Sequence, residues 1–209
     1  SAGSDSITLL SDALPGQTDK AFGGRGGDLL IAGDGDRLLG GLDHDTLIAR
    51  AGLGVAQLTG DSGNDVLVGA QHDVLIGGSG DDVLVARGLG NKMRGGVGAD
   101  VFVLADASLA LHPAGLRPNR VLDFQPGVDR IAINLPGITE DDLIVSGFGR
   151  GAKIELTAEF ANQIGRDSTA IGIVQNVSPN SLDKSQMLNQ HLTVSADTLS
   201  RVSVMDQTI

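Results

Sequence analysis

GGSGDDVLV, residues 77–85, is the stretch whose reading decides the fold. It recurs as GGRGGDLLI from Gly23, GDSGNDVLV from Gly60 and GGVGADVFV from Gly95. The shared template is G-G-x-G-x-D-x-U-x, where U is a large apolar residue. Outward from these four, nine copies fill residues 23–103 at a mean period of nine residues. The first six positions of each copy read as a turn and the last three as a short strand. Glycines supply positive φ and let successive turns approach closely. Strand alternation points U inward and its neighbours outward. The expected inward column is Leu30, Leu39, Leu47, Leu58, Leu67, Leu75, Leu84, Met93 and Phe102. Turned-in carbonyls and an Asp carboxylate are hard oxygen ligands, which suit calcium.

This stretch resembles the RTX (repeats-in-toxin, hemolysin-type) family of calcium-binding nonapeptide repeats. The resemblance implies an all-β fold: a right-handed parallel β-roll in which two nonapeptides make one coil and turns alternate between two edges. It also implies that each calcium ion lies between turn n and turn n+2 of one edge. Sorted this way, the odd copies supply an unbroken row of Asp28, Asp45, Asp65, Asp82 and Asp100. The even copies supply Arg37, Ala56, Asp73 and Asn91, a mostly broken row. The expected ligand set is those five Asp residues with Gly24, Gly26, Gly63, Gly78, Gly80, Gly96 and Gly98 of their turns. About four ions are expected in the gaps of the odd edge, and few on the even edge, near Asp73 and Asn91. Some copies are irregular: Asp43 stands where a turn glycine belongs, the copies from Ala32 and Gly69 are one residue short, and the copy from Ala49 is two long.

The acidic row argues for a switch. Strands stack ~4.8 Å apart, so adjacent carboxylates repel by ~0.9 kcal/mol in water and ~3.5 kcal/mol at an effective dielectric of 20. One inward residue per copy makes a thin core against the cost of ordering nine residues. Calcium is therefore expected to supply folding energy, and the repeat block to be largely disordered without it.

Composition agrees. The chain has 209 residues, 26 acidic and 15 basic, with a formal net charge of −11. Only Glu140, Glu155 and Glu159 are glutamates, a skew to Asp that favours turn chemistry and oxygen ligation. Acidity argues against nucleic-acid binding. There are no cysteines, which excludes disulfides and thiolate metal sites. No apolar run reaches the ~18 residues of a membrane span, and residues 1–19 lack the pattern of a signal peptide.

The outward positions of the odd copies are apolar: Leu29 and Ile31, Val66 and Val68, Val83 and Val85, Val101 and Val103. The even copies mix Val74 and Ile76 with Gln57, Thr59, Lys92 and Arg94. Two readings stand open. The odd sheet is covered by the C-terminal segment, another domain or a partner, or the pattern is simple β-propensity.

The organisation expected is a cap or linker over residues 1–22, the calcium-binding β-roll over 23–103, and a β-rich C-terminal flank over 104–209. A short helix is expected at residues 106–112, before Pro113. After it, V-L-D-F-x-x-G-x-D-R-I-x-I looks like the C-terminal flank of serralysin-type proteases, through Phe102, Asp123, Phe124, Gly127, Asp129 and Ile131. In that family the segment closes the roll's end. For Asp123 and Asp129, calcium ligation and turn capping stand as alternatives. Further strands are expected at residues 143–146, 153–157 and 170–174, with a hairpin turn at 147–151 and a short helix at 181–189. The tail from Leu192 reads as strand-like, and the resemblance implies a C-terminal signal for type I secretion.

Chemistry-bearing motifs are sparse. H-E-x-x-H is missing, so the serralysin likeness covers only the accessory C-terminal part. No G-x-S-x-G elbow or phosphate loop is convincing. His44 and His72 read as variable turn residues, and residues 140–142 as a solvated acidic turn. This chain is read as non-enzymatic: an extracellular module, loaded with several calcium ions after type I secretion, in a larger exported protein with an upstream catalytic or adhesive domain. The alternative is a structural or ligand-binding module of a surface adhesin or surface-layer protein.

Overall fold

A computed structural model describes residues 3–9, 18–33, 35–50, 54–105, 117–166 and 168–188. The chain winds as a β-roll between two sheets. One sheet takes β1 (Ser6–Thr8), β3 (Leu29–Ala32), β5 (Thr46–Ala49), β7 (Val66–Gly69), β9 (Val83–Ala86), β11 (Val101–Ala105) and β13 (Arg130–Ile133), side by side in that order. The other takes β2 (Lys20–Arg25), β4 (Arg37–Leu42), β6 (Gln57–Ser62), β8 (Val74–Ser79), β10 (Lys92–Val97) and β12 (Asn119–Val121). All these pairings are parallel, and the chain crosses from sheet to sheet after every strand. The strand Ser6–Thr8 adds a first rung at one end, with Ile7 opposite Leu30.

Register follows the apolar column. Leu30, Leu47, Leu67, Leu84, Phe102 and Ile131 pair in sequence across one sheet. Leu38, Leu58, Leu75, Met93 and Val121 do so across the other. All but Ile131 are fully buried, and each contributes about 2 kcal/mol by burial. One expectation is corrected: Leu38, not Leu39, points inward, and Leu39 is half-buried. Its own copy, from Ala32, is one residue short. A one-residue slip turns every side chain of a strand to the other face. Replacing Leu67 with Ala is expected to cost about 2–5 kcal/mol, read by denaturant unfolding of the calcium-saturated protein. Val66→Ala, on the outward face, is expected to cost less.

The flank closes one end of the second sheet. A hairpin of β14 (Leu143–Phe148) and β15 (Gly151–Leu156) is antiparallel, and β16 (Ala170–Val174) joins β15 to β12. The expected strands and hairpin turn are present. Between β15 and β16 lies a helix with no counterpart in the sequence reading, α1 (Ala158–Gln163). Thr157 Oγ1 caps it by accepting from the Phe160 N–H at 3.3 Å, and Phe160 is buried. The helix expected at 181–189 is one turn, α2 (Lys184–Met187), after a 3-10 turn at Pro179–Ser181; α2 packs against β13. The helix expected at 106–112 and the strand-like tail lie outside the described residues. Residues 140–142 form a 3-10 turn at the surface, and Asp142 accepts from the Thr139 N–H at 2.9 Å and hydroxyl at 2.7 Å.

Candidate metal centre

The two edges of the roll use the same residue type in opposite ways. On the edge formed by the odd copies, the Asp residues stack into a ladder. Each backbone N–H donates to Oδ1 of the Asp one coil further on: Asp5 to Asp28 (2.6 Å), Asp28 to Asp45 (2.8 Å), Asp45 to Asp65 (2.7 Å), Asp65 to Asp82 (2.8 Å), Asp82 to Asp100 (3.0 Å) and Asp100 to Asp129 (3.1 Å). That leaves Oδ2. In Asp28, Asp45, Asp65, Asp82 and Asp100 this atom is buried with no hydrogen-bond partner. A buried acceptor left unmade costs about 1–3 kcal/mol, more when charged. Five in one row is a systematic deficit of positive charge or donors.

The surroundings of Oδ2 are oxygen-rich. A Cβ added to Gly40 would meet Asp45 Oδ2 and lie 2.8 Å from the Gly60 carbonyl oxygen. At Gly60 it would meet Asp65 Oδ2 and lie 2.7 Å from the Gly77 carbonyl; at Gly77, Asp82 Oδ2 and 2.6 Å from the Gly95 carbonyl. A carboxylate oxygen and a carbonyl of the next coil thus border one space, which only glycine leaves open. Among the described residues no three carboxylate or imidazole side chains converge on one point. The ladder instead presents one carboxylate per coil with main-chain carbonyls, a donor set that fits a hard cation such as calcium.

The glycines singled out by sequence shape these turns. Gly24, Gly26, Gly63, Gly78, Gly80, Gly96 and Gly98 all have φ between 99° and 141°. At Gly80 a side chain would also strike the Gly63 carbonyl one coil away. Asp43 and Asp61 fill two such positions at φ 78° and 73°, where Asp is tolerated better than most residues. Asp43 Oδ2 accepts from the Gly26 N–H at 3.0 Å.

Electrostatics match the geometry. Burial, reinforced by the charge of neighbouring rungs, pushes Asp82 up to about 7 and Asp45 and Asp100 up to about 6. Asp65 and Asp129 are also raised, first by burial.

The other edge is closed on itself. Asp36 holds the place expected for Arg37, for the same one-residue reason as Leu38. Its Oδ1 accepts from the Asp19 N–H (2.9 Å) and its Oδ2 from the Gly33 N–H (2.8 Å). Asp73 repeats this with Ala56 (2.8 Å) and Ala70 (2.7 Å). Asn91 Oδ1 accepts from the Asp73 N–H at 2.9 Å, and its Nδ2 donates to the Ala70 and Gly88 carbonyls at 3.0 and 3.2 Å. Asn119, which the sequence reading missed, adds a rung: Oδ1 accepts from the Asn91 N–H at 3.0 Å, and Nδ2 donates to the Gly88 and Leu104 carbonyls at 3.0 Å each. Its signal was N-R-V at 119–121, a copy of N-K-M at 91–93 set off by an insertion. Among the described residues, only Ala56 interrupts this row.

Asp123 and Asp129 fall on the odd edge. Asp123 Oδ1 accepts from the Gly95 N–H at 3.1 Å. Asp129 ends the ladder, and its Oδ2 is taken by the Gln125 N–H at 2.8 Å. His44 is exposed, and its Nδ1 accepts from the Asn64 N–H at 2.8 Å.

A family model described as Peptidase M10 serralysin C terminal matches residues 37–181. Among solved structures, a subunit of the mannuronan C5-epimerase of Azotobacter vinelandii is 22% identical, with 90% of this chain and 86% of that chain covered and a TM-score of 0.41. An extracellular lipase of Serratia marcescens is 14% identical, with 90% of this chain and 38% of that chain covered and a TM-score of 0.30. No curated protein matches the chain.

Proposed function

We propose, from the premise that this chain belongs to the serralysin C-terminal family of RTX calcium-binding repeats, that it is a calcium-folded module loaded along one edge only. The observation that carries this reading is the row of five buried, unpartnered Oδ2 atoms on the odd edge, against an even edge whose Asp and Asn side chains are satisfied by the protein.

In this reading Asp28, Asp45, Asp65, Asp82 and Asp100 supply carboxylate oxygen, and the turn glycines supply carbonyls and room. Calcium, when bound, cancels the repulsion between rungs and links consecutive coils. Asp36, Asp73, Asn91 and Asn119 need no ion. The ordered state is then conditional on calcium, because ligand binding and folding share one free energy. Extracellular calcium sites typically bind at about 10⁻⁴–10⁻³ M, so such a chain stays unfolded at cytosolic calcium and folds outside. That supports a role as the secretion and folding module of a larger exported protein, delivered by a type I machinery. Among the described residues, no helix is long and apolar enough to cross a membrane.

The test separates the edges. Calcium stoichiometry is measured by titration calorimetry and native mass spectrometry for the intact chain, Asp82→Asn and Asp73→Asn. Asp82→Asn is expected to lose one or two ions and Asp73→Asn none. Equal losses at both edges, or no calcium uptake at millimolar concentration, would overturn the reading.

A further inference from the structure

The outer face of the second sheet gathers positive charge in a chain whose net charge is −11. Backbone register lines up Lys20, Arg37, Gln57, Val74, Lys92 and Arg120 as one row, strand to strand, from β2 to β12. These positions point away from the interior, because the next residue of each strand is its buried inward one. Lys20, Arg37, Lys92 and Arg120 are exposed, and Arg94, two residues on from Lys92, adds a fifth exposed cation. Among the described residues none of the five has an ion-pair partner. Lys20 stands beside Arg37, and Lys92 beside Arg120, at a strand spacing of about 4.8 Å. Like charges so placed repel unless an anion lies across them. The equivalent row of the odd sheet is Leu29, Thr46, Val66, Val83 and Val101, without a charge.

A second outward row runs beside the cations, roughly 7 Å along the strands: Phe22, Leu39, Thr59, Ile76 and then Arg94. Phe22 is 60% exposed. Where these strands lead into the odd-edge turns, exposed Asp43, Asp61 and Asp81 bound the face. A fitting partner therefore carries anions in a line, has apolar surface beside them and is narrow. A membrane or a double helix presents a broad field of negative charge, which the flanking Asp residues and the net charge repel. Single-stranded nucleic acid is held by successive aromatic side chains, and between β2 and β12 this face offers Phe22 alone. We infer that the row binds a linear acidic polysaccharide lying across the strands, along the axis of the roll. Its carboxylates meet Lys20, Arg37, Lys92 and Arg120, and the C–H faces of its sugar rings lie on Phe22, Leu39 and Ile76. The cations come from strands far apart in sequence, so the surface exists only once the roll has folded. It does not depend on which edge holds calcium.

The test uses the full chain at saturating calcium. Circular dichroism and calcium stoichiometry are recorded first, so that failure of the calcium reading shows separately, before any sugar is added. The probe is an oligouronate long enough to span the row, about 24 Å, with a neutral oligosaccharide of the same length as control. Free calcium is matched in both solutions, because uronates take up the ion themselves. Titration calorimetry is expected to find binding at low salt that weakens as salt is raised, and none to the neutral sugar. Lys92→Gln with Arg120→Gln, and Lys20→Gln with Arg37→Gln, are each expected to weaken binding roughly tenfold. Arg50→Gln with Arg150→Gln removes the same charge from exposed sites off the row and is expected to change affinity by less than about twofold. Amide shifts in nuclear magnetic resonance spectra are expected in β2, β4, β10 and β12 and not in β5, β7 and β9. No binding by the folded chain at low salt, an equal loss in the Arg50 and Arg150 pair, or shifts confined to the odd sheet would overturn the inference. So would a preference for anionic phospholipid vesicles or single-stranded DNA over the oligouronate.

Discussion

Removing calcium is expected to abolish most of the β signal in far-ultraviolet circular dichroism, with a cooperative return near millimolar calcium and none with magnesium. The magnitude follows from the odd edge. Five Oδ2 atoms are buried without partners. At about 1–3 kcal/mol each, or more if ionised, an unoccupied ladder costs roughly 5–15 kcal/mol. That equals the net stability of an ordinary domain, about 5–15 kcal/mol. Each coil buries its inward residues and one outward residue of the odd sheet, such as Val68 or Val85, against the cost of ordering two nonapeptides. The far end is different. Among the described residues, the hairpin β14–β15, β16 and Phe160 of α1 are packed without an orphaned carboxylate, so a minor β signal is expected to persist there. Magnesium fails because it demands near-ideal octahedral geometry and sheds water reluctantly, while the ladder offers fixed carbonyls. A full β signal in chelator would mean that the carboxylates are satisfied by protons or water, and calcium would be an accessory to a self-sufficient fold.

The interior was legible in the sequence because the Asp of each complete copy fixes the register of the strand after it. Asp28, Asp65, Asp82 and Asp100 each place U two residues on, and Leu30, Leu67, Leu84 and Phe102 are where that rule puts them. The rule slipped at Leu39 because the short copy was anchored on its strand end instead of on Asp36. The insertion at 106–118 hid Asn119 by breaking the period. Helix α1 is six residues long, too short for its apolar spacing to stand out. The contrast between the edges was expected from a broken even row, read as Arg37, Ala56, Asp73 and Asn91, but with Asp36 and Asn119 in that row its basis is different. It lies in turn length. In the copies one residue short, the N–H three residues before the Asp folds back onto Oδ2, as Gly33 does to Asp36 and Ala70 to Asp73. The nine-residue copies carry the extra turn residue, and Oδ2 is left facing carbonyls. Turn length therefore decides which Asp is a cap and which is a ligand.

The same ladder should invert the usual pH dependence of stability. Asp45, Asp82 and Asp100 have values of about 6, 7 and 6 in the metal-free fold against 3.8 for the free side chain. Raised values mean that the fold binds more protons than the unfolded chain between about pH 4 and 7. The metal-free roll is then stabilised by acid and loses that stability as pH rises through 6 to 7. The contribution of each such rung is fully present below about pH 4 and gone above its raised value. With calcium present the sign reverses, because protons and the ion compete for the same oxygens, and apparent affinity should rise with pH through that window and level off above it. Unfolding profiles from pH 4.5 to 8, with and without calcium, should therefore converge at the acid end and diverge as pH rises. Relief of the overall negative charge also favours acid, so a variant isolates the ladder. Asn91 and Asn119 show what a permanently neutral rung does: the amide donates to carbonyls where a carboxylate has nothing to give. Asp82→Asn should accordingly stabilise the metal-free roll at pH 8, flatten its pH dependence and weaken calcium binding. Parallel pH profiles for the variant and the parent would show that net charge alone governs the response.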